Sequence, residues 1–387
     1  MEQLKADAAA LAPQLVEWRR DLHRHPELAF AEHRTSAVLR AHLEGLGLEV
    51  RSVAGTGLVA RLEGRRPGRT VALRADLDAL PVAEEGKEGY ASENPGVCHA
   101  CGHDGHMAIL MGAARLLAAR AGELGGTVVF LLQPSEEKAP GGAQAMIAEG
   151  ALDRVGAVFG LHLWQSMPTG AVGCVKGPMM AATDDWTVVV NGRGGHAALP
   201  HLSVDPVAAA AQLVVALNGV VSRSVDPLKA AVLSCCTIHG GTANNIIPDA
   251  VTLSGTVRTF DPELRDLMER RFREVVAGTC AATGATADVG YSRGYPALVN
   301  DPAAAELALE VARDVLGPER VVDIDPVMGG EDFAYCLQRV PGAFLFYGAG
   351  DGMPHPHHHP RFDVDERALP GATLLMTALA LRATTEG

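Results

Sequence analysis

Apolar residues Leu11, Leu15, Trp18 and Leu22 recur at the three- to four-residue spacing of one helix face and predict a helix over residues 3–24. A second helix is expected over 35–43, closed by Gly45 and Gly47. Short apolar runs follow at 58–62, 70–74, 127–132 and 155–163, each read as a strand, with an Ala- and Leu-rich helix over 106–120. Strands alternating with helices imply a largely parallel sheet that gathers ligands at its strand ends. The pattern changes near Pro178. A strand at 183–191, a helix at 206–221, strands at 230–239 and 250–260, a helix at 263–282 and a strand at 286–292 give the β-α-β-β-α-β order of a ferredoxin-like unit. Alternation resumes with elements at 302–316, 333–338, 343–347 and 366–383. The fold class expected is α/β: a mostly parallel-sheet domain over 1–180 and 295–387, interrupted by a ferredoxin-like α+β domain over 181–294.

A chain of 387 residues suits this two-part plan, and 48% apolar with 20% charged residues suits a sizeable core. The formal charge of −13 argues against nucleic acid or an anionic membrane as partner. No basic run, apolar run of transmembrane length or signal pattern is present, and Met1-Glu-Gln-Leu-Lys opens an amphipathic helix instead. Seven irregularly spaced cysteines do not suit a disulfide framework, and a reducing cytoplasm is the simpler expectation.

Candidate chemistry is concentrated in four places. Cys98-His-Ala-Cys101-Gly-His103-Asp-Gly-His106 packs two thiols, three imidazoles and a carboxylate into nine residues. Gln133-Pro-Ser-Glu136-Glu137, Gly160-Leu-His162-Leu and His355-Pro-His-His358-His359-Pro-Arg-Phe-Asp follow. Thiolate, imidazole and carboxylate form a mixed ligand set for borderline divalent metals, and zinc, manganese, cobalt and nickel all suit it. One cluster alone would fit a zinc knuckle or a redox pair; four, with a tandem Glu-Glu, point to a metallohydrolase. Glu136 and Glu137 are adjacent, so their side chains are expected to diverge, one facing metal and the other substrate. A hydrolase needs such a base that ligation does not consume. Asp76 and Asp78 follow a strand and suit the orientation of a ligand imidazole. Two rivals remain at this level: Cys101 as a thiol nucleophile with His103 as its base, and a non-catalytic metal or redox protein. Among His355, His357, His358 and His359 the residues alone do not choose.

The order of the segments is more specific than any one of them. Asp21-Leu-His-Arg-His-Pro-Glu-Leu, Leu73-Arg-Ala-Asp-Leu-Asp-Ala-Leu-Pro and His99-Ala-Cys-Gly-His-Asp-Gly-His precede Gln133-Pro-Ser-Glu-Glu. Gly192-Arg-Gly-Gly-His196, Gly241-Thr-Ala-Asn-Asn245-Ile-Ile-Pro, Gly329-Gly-Glu-Asp-Phe and His358-His-Pro-Arg-Phe-Asp come after it. The chain thereby resembles the aminoacylase and hippurate hydrolase branch of the dinuclear, carboxypeptidase G-like metallopeptidases, which includes plant indole-acetyl-amino-acid hydrolases. The resemblance implies two divalent metal ions per subunit on Cys101, His103, Glu137, His162 and His358, with His106 outside the ligand set. It gives Glu136 the acid/base role, His196 and Asn245 the reacting carbonyl, and Arg258 the substrate carboxylate. It also makes the inserted domain a lid and the seat of a homodimer. The implied reaction is hydrolysis of a small N-acyl amino acid; a dipeptidase, an exopeptidase or an N-acetyl-diaminopimelate deacylase are alternatives within the family. Cys98 matches no family role, and the few aromatic residues mark no phenyl or indole pocket.

Overall fold

The helix expected over 3–24 is two helices, Glu2–Ala10 and Ala12–Arg24, in the computed structural model, which describes residues 1–385. Pro13 explains the break: it has no N–H for the carbonyl four residues back, and its ring crowds that carbonyl, whereas the first turn of a new helix accepts it. Leu15, Arg19 and Leu22 bury the inner face of the second helix. The described chain divides into two units. The first comprises Met1–Met179, Val299–Asp325 and the described residues from Asp332 onward, and the second Met180–Leu298 and Pro326–Glu331.

A seven-stranded sheet carries the first unit, in the spatial order Glu49–Val53, Gly57–Glu63, Gly125–Gln133, Arg66–Asp76, Ala157–Trp164, Gly342–Gly348, Val172–Gly173. Its four central neighbours, from Gly125–Gln133 to Gly342–Gly348, pair in parallel. Both edges are antiparallel. One edge is fixed by a three-residue turn after Val53, with Ala54 and Gly55 at positive φ, because so short a link permits only antiparallel pairing. Glu49–Val53 itself was not expected from the sequence; only Val53 is fully buried, so the strand carries no apolar run. Helix His103–Ala118 is buried continuously from His103 to Ala114 and packs against Arg66–Asp76 and the helix Ala368–Ala383. It begins three residues before the expected start, after Gly102 turns the chain at φ 93°. Consequently the Asp76, Gln133 and His162 segments end on the C-terminal side of parallel strands, where such sheets place their sites.

Buried charge fastens the N-terminal helix. Arg19 reaches Asp104 at 2.7 Å, Asp363 at 2.6 Å and Glu366 at 3.1 Å, while His23 bridges Asp104 and Glu84 at 2.7 and 2.6 Å. Burial raises the Glu84 carboxyl, but the His23 hydrogen bond and charge, the Ser92 N–H and Lys87 outweigh it and hold it down at about 2. A depressed carboxyl stabilises the fold above its unfolded value, and that contribution fades as pH falls through the folded one. Glu84→Gln is therefore expected to cost about 1–3 kcal/mol at neutral pH. It should also flatten the stability profile between pH 4.5 and 2, as read by urea unfolding across that range. An unchanged profile would refute the assignment.

The second unit has the expected β-α-β-β-α-β order. Its antiparallel sheet runs Ala231–Gly240, Ala250–Thr259, Ala182–Asn191, Thr286–Arg293. Helices Pro206–Ser224 and Pro262–Thr283 cover it, each begun by an Asp whose carboxylate accepts two N–H bonds and by a following proline. Helix Pro206–Ser224 is long and apolar enough to cross a membrane by length and composition. Here Ala209, Ala210, Leu213, Leu217 and Val220 pack into the core with Trp186, Val188 and Val190.

Candidate metal centre and active site

Gly102 places Cys101 and His103 on either side of a helix start. His103 Nδ1 donates to the Asp78 carbonyl at 2.8 Å, and His162 Nδ1 donates to the Leu163 carbonyl at 2.8 Å. A carbonyl only accepts, so both rings carry a proton on Nδ1, and in the neutral ring that leaves Nε2 as the lone pair a cation would use. His162 Nε2 lies 3.4 Å from Cys101 Sγ, and His103 Nε2 lies 3.8 Å from Glu137 Oε1. Cys101, His103 and His162 offer ligand atoms within 4.8 Å of one another, as do Cys101, Glu137 and His358. His103 Nε2 and Glu137 Oε1 are both buried without a hydrogen-bond partner. Leaving such atoms unsatisfied costs about 1–3 kcal/mol each, more when charged. A divalent cation among these atoms removes that cost, and the mixed sulfur, nitrogen and oxygen donors suit one. Without a cation, burial and then the Glu137 and Glu136 carboxylates push the Cys101 thiol well up, away from thiolate.

Asp78 organises the tandem glutamates. Its carboxylate accepts the Glu136 N–H at 2.8 Å and the Glu137 N–H at 3.0 Å, while its carbonyl takes the His103 proton. Ser135 enters this turn at φ 53°, its N–H held by Glu32 at 2.9 Å. The two carboxylates therefore diverge less than their adjacency suggests: an oxygen of each lies within 4.8 Å of the other and of His103. Asp76 accepts from His106 Nδ1 at 2.7 Å, and His106 Nε2 accepts the Leu163 N–H at 2.9 Å. With both ring nitrogens engaged, His106 has no lone pair for a metal, although it lies near His103.

The His-rich run separates by contact. His357 Nε2 donates to the Leu163 carbonyl at 3.1 Å, and its ring packs on Trp164 and Phe362. His355 and His359 stack on each other at 4.5 Å. His358 alone of the four approaches Glu137, at 3.3 Å, from a backbone held at φ 67° with its N–H on the Ala100 carbonyl. A non-glycine residue in that region stores strain, a frequent feature of functional sites.

A family model described as peptidase family M20/M25/M40 matches residues 72–382. The chain belongs to this peptidase family. It is 43% identical over 382 residues to the N-acetyl-L-cysteine deacetylase of Bacillus subtilis (strain 168), covering 98% of this chain and 91% of that protein. Identity is also 43% over 300 residues with the N-acyl-L-amino acid amidohydrolase of Geobacillus stearothermophilus, covering 77% and 81%. A solved dinuclear metal binding peptidase of Bacillus subtilis superposes with a TM-score of 0.85 at 37% identity, covering 97% of this chain and 99% of that one.

In this M20/M25/M40 chain the remaining expected residues lie in the second unit. Gly195–His196 pairs with Ile246–Ile247, and the Ala197 N–H donates to the Asn245 carbonyl at 3.1 Å, so His196 and Asn245 are exposed neighbours on one ribbon. Gly194 permits that ribbon, because a Cβ there would meet the Ile247 carbonyl at 2.7 Å. Arg258 lies on the interior strand Ala250–Thr259 rather than at a sheet edge, and it makes no ion pair among the described residues. Its Nη1 donates to the Val257 carbonyl at 3.0 Å and to the Thr256 hydroxyl.

Sequence reasoning missed one network of the first unit. Arg74 donates to Gln133 at 3.0 Å, to Asp76 at 2.6 Å and to Asp332 at 3.1 Å; Gln133 in turn donates to Asp332 at 2.6 Å. The signal was present in Gln133-Pro-Ser and Gly329-Gly-Glu-Asp332-Phe, both read as motifs without a partner.

Proposed function

We propose that this protein is a metal-dependent amidohydrolase that cleaves N-acyl amino acids, of the N-acetyl or hippurate type, to a carboxylate and a free amino acid. The observation that carries this reading is the convergence of His103 Nε2 and Glu137 Oε1, both buried and without a hydrogen bond, with Cys101, His162 and His358. Two divalent cations on Cys101, His103, Glu137, His162 and His358 would supply Lewis-acid polarisation of the amide carbonyl and acidify an attacking water. Glu136 takes the proton of that water as its oxygen bonds to the carbonyl carbon. It then returns the proton to nitrogen as the C–N bond breaks, because an amide anion leaves badly. His196 and Asn245 donate to the carbonyl oxygen as its charge grows. Arg258 holds the substrate carboxylate, which its guanidinium fork fits. The names of the deacetylase and amidohydrolase relatives support the same reaction.

The test is a screen of hippurate, N-acetyl-methionine, N-acetyl-diaminopimelate and dipeptides, with chelator and with added zinc, manganese, cobalt or nickel. Turnover of acyl amino acids that chelator abolishes and metal restores is the expected result. Turnover confined to dipeptides would make the protein an exopeptidase, and chelator-insensitive turnover would overturn the metal mechanism. Cys101→Ser is expected to lower bound metal, because a hydroxyl is a far poorer anionic ligand than a thiolate, and added metal should restore part of the activity. Full occupancy without turnover would instead mark Cys101 as the nucleophile. A homodimer through the second unit is supported by exposed Val215, Leu228 and Ile238, and sedimentation tests it. All seven cysteines are free, which supports a reducing, cytoplasmic setting.

A further inference from the structure

Phe346 stacks on Trp164 at 3.8 Å, and Tyr347, the next residue along the strand, points to the opposite face of the sheet. There it lines a cavity of about 460 Å³ with Val315, Leu316, Arg320, Asp351 and Arg367. That volume falls among small-molecule sites, roughly 300–1,000 Å³. Tyr347 is only 2% exposed, yet its hydroxyl makes no hydrogen bond to any described residue. The hydroxyl itself keeps contact with solvent, so a group that enters the cavity can take the place of water there. Arg320 uses Nη1 on the Thr169 carbonyl at 3.2 Å, leaving Nε and Nη2 without partners among the described residues. Burial pushes the Tyr347 hydroxyl up, and the Arg320 charge opposes that rise. Arg367 is not available in the same way, because Asp365 holds its Nε at 2.9 Å and its Nη2 at 2.7 Å. The Asp351 carboxylate makes no ion pair among the described residues. The lining thus offers an unused guanidinium edge and a phenol for an anion, an unused carboxylate for a cation, and the apolar wall of Val315 and Leu316.

We propose that this cavity binds a free α-amino acid with an apolar side chain, its carboxylate on Arg320 and Tyr347, its ammonium on Asp351 and its side chain on Val315 and Leu316. A simple anion satisfies only half of the lining and is repelled by Asp351. The cavity also has a route to the metal-ligand candidates. The Asp351 N–H donates to the Thr169 hydroxyl at 3.1 Å, that hydroxyl donates to Asp365 at 2.7 Å, and Asp351 opens the segment that carries His358. Occupancy therefore bears on the loop that presents His358, and the bound amino acid modulates turnover from outside the reacting site. That the ligand class coincides with a reaction product rests on the amidohydrolase reading; the binding itself does not.

Calorimetric titration of the metal-loaded protein with L-leucine, L-leucinamide, acetate and inorganic phosphate tests this. L-leucine is expected to bind, with leucinamide and acetate at least tenfold weaker because each lacks one of the two charges. Arg320→Gln and Asp351→Asn, both at exposed positions, should each weaken leucine binding at least tenfold, and Tyr347→Phe should weaken it less. Arg320→Gln should keep the kcat/KM of the unliganded enzyme while losing the effect of leucine on kcat. An isotherm for leucine unchanged in both charge variants, or acetate and phosphate binding as tightly as leucine, overturns the proposal. Leucine binding is scored whether or not any acyl amino acid is turned over, so the two readings fail separately.

Discussion

Glu136→Gln is expected to lower kcat by a factor of about 10²–10⁴, the range a positioned general base supplies, while bound metal stays at the level of the parent protein. Gln keeps the size of the side chain and the N–H that Asp78 accepts at 2.8 Å, so the turn that presents Glu137 should survive. What it loses is the capacity to take a proton from water and return it to the amine. Metal analysis must accompany the rate measurement, because an oxygen of Glu136 lies within 4.8 Å of ligand atoms on His103 and Glu137. Metal lost in step with activity would make Glu136 a ligand and would remove the base from the mechanism. Metal retained with kcat unchanged would place the base elsewhere.

The split between what the sequence disclosed and what it hid follows the range of the interactions. The central strands were legible because burial on both faces demands continuous apolar runs, as in Val128–Leu132. Glu49–Val53 was not, because an exposed edge strand makes no such demand. Pro13 divides the helix expected over 3–24, because the apolar spacing continues across it while its missing N–H ends the first helix. At the metal centre the ligand types were legible as clusters, since few other uses place Cys, His and Glu so densely. Their orienting partners were only partly so. Asp78 was expected to orient a ligand, and its carbonyl accepts from His103, but its carboxylate also clamps Glu136 and Glu137, 58 and 59 residues further along the chain. Arg74 and Asp332, 258 residues apart, meet only in the fold. Nor does composition alone rank four histidines in one short run; the positive φ of His358 and its hydrogen bond to Ala100 are conformational facts.

His196→Ala is expected to reduce kcat by about 10²–10³, the usual loss when one oxyanion donor is removed, with bound metal unchanged. The expectation rests on the Gly-Gly-His196 ribbon, where His196 and Asn245 are adjacent and exposed, with polar groups available to a substrate. An interaction made chiefly in the transition state lowers kcat more than it raises KM, so the two constants should be measured separately. The metal-ligand candidates belong to the first unit and His196 to the second, so in its proposed role as oxyanion donor His196 would reach the carbonyl in one of two ways. Either the second unit closes over the substrate of its own chain, flexing near 178–183 and 292–298, or a second copy lends the residue. Mixing the Glu136→Gln and His196→Ala proteins separates them. Activity regained in the mixture means that His196 is lent across subunits. No recovery, although the subunits demonstrably exchange, means that each chain uses its own His196 and that closure completes the site. A His196→Ala protein with full kcat would refute the oxyanion role in either arrangement.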